Sequence, residues 1–397
     1  MIQYKGITQN VSSSVVALIT RNPFTLSRVN SILVSDNPTI LSKGFAGHIT
    51  AGNSNKLSFA PQVNVDRNVI DKLVEGDCVL LDKDGMITVV WDKSASMNPL
   101  LLTEMCNCRC TMCPQPPKAH DSTLTDICKR ILDLVKIDDN QTICLTGGEP
   151  TLLKKDFYDL LSLIREKHPK VQVMLLTNGK SFSDFEFTKQ FVSVRPNNFI
   201  SCVSLHSDVD EEHDRIAGVK NSFYNTIKGL HNLARFQEKI EIRVVVSRLN
   251  ARYLESIAKF IYRNFPFVYH CAFMGMEITG LAVNNYKEIW IDPYEYRDQL
   301  SRAVNVLSRG GINVSVYNLP LCLIDKKIWS FARQSISGWK NKYLPVCDRC
   351  TVKSDCGGVF STSGLHQSPF INPQSSEKNC FSGGSIDFSW PPLRRYN

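Results

Sequence analysis

The feature that most constrains this chain is an alternation of short apolar runs with amphipathic helical patterns, repeated six times between about residues 99 and 310. The runs are Leu100–Thr103, Thr142–Thr146, Val171–Thr177, Phe199–Leu205, Ile240–Val246 and Phe267–Phe273. Short apolar stretches bounded by turn residues are what strands buried on both faces look like. Helical patterns fall at 122–136, 183–193, 222–236, 251–264 and 293–309, and the plainest is KDFYDLLSLIREKH. There Phe157, Leu160, Leu161 and Ile164 recur at i, i+3, i+4 and i+7, which makes one stripe of a helix. Asp156 stands where an N-cap is expected, and Pro169 closes the segment. Such alternation predicts an α/β fold with a parallel sheet and right-handed crossovers. Six units make an open, partial (β/α)6 barrel, two short of the full eight, with its chemistry in the loops at the C-terminal strand ends.

The flanks read differently. Residues 1–95 carry short β-like runs, including a hairpin around Asp84-Gly85 in VEGDCVLLDKDGMITVVWDK, and form a small β-rich N-terminal domain. Residues 96–310 are the barrel, and 311–397 a Gly- and Ser-rich extension with a second group of cysteines. A hydrophobic content of 43% with 21% charged residues is ordinary for a globular protein. No run approaches the roughly 18 apolar residues of a membrane span. The N-terminus has no basic segment followed by a long apolar one, so a cytoplasmic protein is expected. The net charge of +8 comes without a basic block interleaved with aromatics, and nucleic acid is not the expected partner.

In a reducing cytosol clustered cysteines bind metal or do chemistry rather than form disulfides. The stretch CNCRCTMC packs four of the 14 cysteines into eight positions directly after the first barrel strand. Cys106, Cys110 and Cys113 give C-x3-C-x2-C, three thiolates on one loop that hold three corners of an iron–sulfur cubane and leave one iron open. Zinc is the alternative, although it more often shows paired C-x2-C units. Cys108 breaks the three-ligand spacing and reads as a bystander. The second group is Cys322 with Cys347, Cys350 and Cys356. Cys78, Cys128, Cys144, Cys202 and Cys271 lie in apolar runs and read as core fillers.

With these motifs the chain resembles the radical S-adenosylmethionine (SAM) superfamily over about residues 99–310. C-x3-C-x2-C matches the family's cluster motif, and Gly147-Gly148-Glu149-Pro150 after the second strand matches its GGEP-type motif. The resemblance implies a SAM-binding 4Fe-4S cluster on Cys106, Cys110 and Cys113. It also implies SAM contacts from Gly147, Gly148, Glu149 and Pro150, from Asn178 in the TNG turn, and from Ser204 and His206 in SLHS. Glu149 is expected to meet the methionyl ammonium. Arg243, a charge inside the fifth strand, is a candidate for the methionyl carboxylate, with an internal salt bridge as its alternative. Cys347-x2-Cys350-x5-Cys356 resembles the auxiliary-cluster extensions of SPASM and twitch type. The further SPASM cysteine is replaced by Phe360, so one auxiliary 4Fe-4S cluster is expected, with Cys322 or Cys380 as fourth ligand and zinc as the other metal.

The segments CTMCPQPP, FMGMEITGLAVNN, YNLPLCLID, ARQSISGWKN and CDRCTVKSDCGG are similar to the His-Xaa-Ser system radical SAM maturases of the HxsC family. That similarity implies a ribosomally made precursor peptide as substrate, a second maturase, and a flavodoxin- or ferredoxin-type electron donor. The implied reaction is reductive cleavage of SAM and hydrogen abstraction from the peptide, ending in an oxidative crosslink or other modification. Glu277, near the end of the sixth strand, is the candidate catalytic carboxylate, with cofactor binding and loop bracing as its alternatives. Two other readings remain at this level: a radical SAM enzyme acting on RNA or a small molecule, and a non-catalytic iron–sulfur or zinc module that binds peptide.

Overall fold

The computed structural model describes residues 2–35, 43–51, 60–119, 121–334, 340–362 and 366–374. The chain opens with strands β1 (Gln3–Lys5), β2 (Ile7–Gln9), β3 (Val15–Thr20), β4 (Ser31–Val34), β5 (Gly47–Ala51), β6 (Gln62–Val65), β7 (Cys78–Leu81) and β8 (Met86–Trp91). They form one mixed sheet in the order β1-β8-β7-β3-β4-β5-β6-β2. β1 and β2 are two halves of one segment, and β1 pairs with β8 while β2 pairs with β6. That segment therefore joins the two edges of the sheet. Alternate residues such as Ile19, Ile32, Ile49, Val63 and Leu81 face inward and give this sheet its own core. The expected hairpin joins β7 to β8, turning through Gly85 at φ 81°.

The second sheet carries β9 (Met97–Thr103), β10 (Thr142–Gly147), β11 (Gln172–Thr177), β12 (Phe199–Ser204), β13 (Lys239–Val245), β14 (His270–Met274), β15 (Asn313–Tyr317) and β16 (Ala332–Arg333). Every neighbouring pair is parallel and the spatial order follows the chain. The six strands expected from the sequence are present, and the sheet runs on through two more. β15 escapes an apolar-run criterion because Asn313 and Ser315 alternate with Val314 and Val316. β16 is two residues long and leaves no periodic signal.

Helices pack on the outer face, among them Ser122–Leu134, Lys155–Lys167, Phe185–Val194, Ser222–Arg235, Leu254–Asn264 and Arg297–Arg309. In Lys155–Lys167 the predicted stripe is fully buried, and truncating Leu160 to alanine is expected to cost about 2–5 kcal/mol. Asp156 is not the cap. Lys154, at φ 51°, occupies that position, and Asp156 lies in the first turn, where its charge suits the helix dipole. Asp121 and Asp184 do cap their helices, accepting from backbone N–H groups one or two residues inside. A further helix, Asp210–Ala217, carries no amphipathic run long enough to notice and ends at Gly218 in the left-handed region.

The lone cysteines Cys78, Cys128, Cys144, Cys202 and Cys271 are all buried. Beyond β15 the chain proceeds through short 3-10 turns and a two-stranded ladder of β17 (Asn341–Lys342) and β18 (Val359–Phe360). No helix among the described residues is long and apolar enough to cross a membrane.

Candidate metal and cofactor site

Because β9–β14 are parallel, the loops that follow them meet at one end of the sheet. The cysteine loop leaves β9, GGEP leaves β10, TNG leaves β11, SLHS leaves β12, and MGMEITG leaves β14. The backbone zips the first two together: Gly148 N–H donates to Thr103 O (2.7 Å) and Glu149 N–H to Met105 O (2.8 Å). A Cβ on Gly148 would stand 2.3 Å from Met105 O, so only glycine permits this approach.

The cysteine loop is pinned from two further sides. Arg109 and Thr111 donate N–H bonds to Ala217 O and Ile216 O (both 2.9 Å), the carbonyls that end the Asp210–Ala217 helix. Leu281 N–H donates to Cys113 O and Asn285 Nδ2 to Thr111 O (both 2.9 Å). Only the glycine of RIAG marks the first brace in the sequence. Gly218 has φ 69°, and a Cβ there would lie 2.2 Å from Arg109 O.

On this loop Cys106, Cys110 and Cys113 are half-buried and Cys108 is buried. Cys108 is not isolated. Its N–H donates to Cys106 Sγ (3.4 Å), and its sulfur receives Asn178 Nδ2 at 3.5 Å and has Lys180 Nζ at 3.8 Å. The Cys106 thiol is pushed up, first by its bond to Cys108 and then by burial; burial also raises Cys113. Metal binding at these positions must therefore displace protons.

Glu149 has a different place from the one its motif suggested. It is fully buried and accepts from Thr177 Oγ1 (2.8 Å), Asn178 N (2.7 Å), Thr151 Oγ1 (2.7 Å) and Thr151 N (3.3 Å). Burial pushes its carboxyl up while these donors oppose the rise. The side chain staples the ends of β10 and β11. Pro150 opens the short turn that follows. Asn178 extends the staple, donating from Nδ2 to Asn107 Oδ1 at 2.8 Å.

Ser204 ends β12 and His206 lies just beyond it. His206 is buried and stacks on His213 with centroids 5.8 Å apart. Burial, with His213 beside it, holds its imidazole neutral, at about 3. Arg243 has a protein partner: its Nε donates to Glu241 Oε1 inside the barrel. Glu241 also accepts from His270 Nδ1 (2.7 Å), whose Nε2 meets Ser315 Oγ (2.9 Å). Burial alone would raise the Glu241 carboxyl, but Arg243 and His270 outweigh it and hold it at about 2. Glu277 is engaged as a brace: Lys340 Nζ (2.7 Å) and Thr362 Oγ1 (3.0 Å) both donate to it, tying the extension to the barrel mouth.

Cys322, Cys347, Cys350 and Cys356 line one small cavity. Backbone N–H groups point at the sulfurs: Leu321 (3.3 Å) and Gly358 (3.4 Å) at Cys356, and Gln374 (3.4 Å) at Cys350. Such donors suit thiolates. Cys380 lies outside the described residues. Among the described residues no three His, Cys, Asp or Glu side chains are grouped to hold a single metal ion. Both donor sets are thiols without imidazole or carboxylate, and both fit an iron–sulfur cluster.

The segment that bears these motifs, residues 100–261, matches the radical SAM superfamily. It is a radical SAM domain. Fe-coproporphyrin III synthase of Methanosarcina barkeri (strain Fusaro / DSM 804) is 28% identical over 179 residues, 44% of this chain and 41% of that protein. The cysteine-type anaerobic sulfatase-maturating enzyme of Clostridium novyi (strain NT) is 27% identical over 184 residues, 42% of this chain and 48% of the other. The chain thus spans less than half the length of these two curated relatives. Among solved structures, Streptococcus suis SuiB bound to S-adenosylmethionine aligns with a TM-score of 0.47 and 16% identity, covering 62% of this chain and 55% of that one.

Proposed function

We propose that the chain is a radical SAM peptide maturase. In this reading Cys106, Cys110 and Cys113 hold a 4Fe-4S cluster, and Gly147, Gly148, Pro150, Asn178, Ser204 and His206 line the SAM site. Cys322, Cys347, Cys350 and Cys356 hold an auxiliary cluster. When bound, the first cluster supplies the electron that splits SAM into methionine and a 5′-deoxyadenosyl radical, which takes a hydrogen atom from substrate. A cluster on those four cysteines would supply an acceptor for the electron that the substrate loses. The protein's own part is to orient and to exclude water. Glu149 fixes the GGEP and TNG turns relative to each other, and Asn178 and Lys180 fix the cysteine loop above them. Arg243 keeps its charge inside the barrel because Glu241 balances it.

The observation that carries this reading is the joining of the cysteine loop, GGEP and TNG at one end of a parallel sheet through Glu149 and Asn178. A peptide substrate, a second maturase and a His-Xaa-Ser system are the finer part of the proposal, supported by the family-like segments and by the four-cysteine cavity beside the barrel mouth. Anaerobic reconstituted protein given dithionite and SAM is expected to form 5′-deoxyadenosine, and Cys110→Ala to form none. Equal product from both proteins would overturn the assignment. With a candidate precursor peptide, Cys350→Ala is expected to make deoxyadenosine without modified peptide.

A further inference from the structure

One of the three backbone donors on the auxiliary sulfurs differs in origin from the other two. Leu321 adjoins Cys322, and Gly358 lies two residues past Cys356, so the cysteine segments themselves place both donors. The third, Gln374 N–H on Cys350 Sγ (3.4 Å), comes from 24 residues further along, on a segment, 366–374, that carries no cysteine. Other contacts hold it there. Thr351 donates to Gln374 O from both its N–H and its Oγ1 (each 3.0 Å), which keeps Gln374 beside Cys350.

The opposite end of this segment is fastened to the barrel. His366 packs on Tyr286 (4.1 Å) and Phe370 on Tyr294 (4.2 Å), with the Arg297 guanidinium 3.7 Å from the centre of the Tyr294 ring. Between the ends, Ile371 lines both the cavity of the four cysteines and an adjoining pocket in the seam between barrel mouth and extension. The segment is a strap, with ring stacks at one end and a sulfur donor at the other. Reduction by one electron adds negative charge to an iron–sulfur cluster and its thiolates. An N–H aimed at a ligating sulfur favours that reduced form and raises the potential.

We propose that residues 366–374 set the reduction potential of the auxiliary cluster, with Gln374 N–H as the donor and the stacks on Tyr286 and Tyr294 as its anchor. The inference rests on the maturase reading for the cluster itself, and is read by potential rather than turnover. The whole chain carrying Cys110→Ala, reconstituted anaerobically so that the auxiliary cluster stands alone, is titrated potentiometrically and followed by paramagnetic resonance. Adding Gln374→Pro removes the N–H, and the midpoint is expected to fall by about tenfold in the reduction constant, ~59 mV for one electron. Gln374→Ala keeps the N–H and is expected to leave the midpoint in place. Phe370 is 45% exposed, so Phe370→Ala frees the strap without opening a core. It is expected to lower the midpoint at unchanged iron content, and Phe370→Tyr, which keeps the ring, to restore it. Should Gln374→Pro shed its iron, the Phe370 pair decides. Unmoved midpoints, an equal shift in Gln374→Ala, or loss of auxiliary iron from Phe370→Ala overturns the proposal. The absence of any auxiliary signal in Cys110→Ala overturns the cluster assignment and the strap with it, whereas a signal whose midpoint ignores these changes overturns the strap alone.

Discussion

The two groups of cysteines are held in opposite ways. The loop from Met105 to Cys113 hangs on backbone hydrogen bonds to three separate barrel segments, and Cys108 and Met112 are buried within it. Between Asn341 and Phe360, by contrast, only Val352, Gly357 and Gly358 are buried. There the chain turns in short 3-10 segments around the sulfurs themselves. A loop of the first kind is shaped by the fold before any metal arrives. A segment of the second kind has little apolar burial to offset its chain entropy, so metal ligation must supply much of its folding energy.

The largest effect expected from this difference is on exchange protection. Iron removal, or Cys350→Ala, is expected to bring amides of 341–362 close to unprotected rates, while iron-free protein keeps protection at Arg109 and Thr111. Hydrogen exchange by mass spectrometry resolves the two segments, and equal loss in both would break the comparison. Glu241→Gln attacks only the preformed side. It leaves the buried Arg243 charge without its partner and is expected to cost about 3–5 kcal/mol, read as a lower unfolding midpoint in urea. The pH dependence has the matching sign. Glu241 is held at about 2 when folded, so its contribution is present above the ordinary carboxylate range and is lost as pH falls through that range toward 2. Gly218→Ala should cost about 1–3 kcal/mol through the collision with Arg109 O, and should lower iron content at the first group while sparing the second. The smallest effect belongs to the link between the regions. Lys340→Ala breaks a partly exposed ion pair with Glu277, and a change of about 1 kcal/mol or less in the midpoint is expected.

Much of the first region was legible in the sequence because its chemistry is written in contiguous motifs. The strands that present those motifs are buried on both faces and therefore read as apolar runs. Less visible were supports assembled from distant segments. The Asp210–Ala217 helix is too short to show a stripe, although its carbonyls fix Arg109 and Thr111. Glu149 was expected at the ligand, and its burial behind Thr177 and Asn178 depends on how β10 and β11 pair, which spacing does not encode. Arg243 was open between a ligand and an internal ion pair; its neighbour Glu241 two residues earlier faces the same side of the strand, and that alternation was the signal to use. The auxiliary cavity was readable as four cysteines. Its adjoining pocket, built from six separate stretches, was not.

Paramagnetic resonance of dithionite-reduced Cys350→Ala, which isolates the first group, tests the account most directly. The account predicts one 4Fe-4S signal whose g-values shift when SAM is added, because a cluster on Cys106, Cys110 and Cys113 alone would leave one iron for SAM. A full cluster signal that ignores SAM would contradict it.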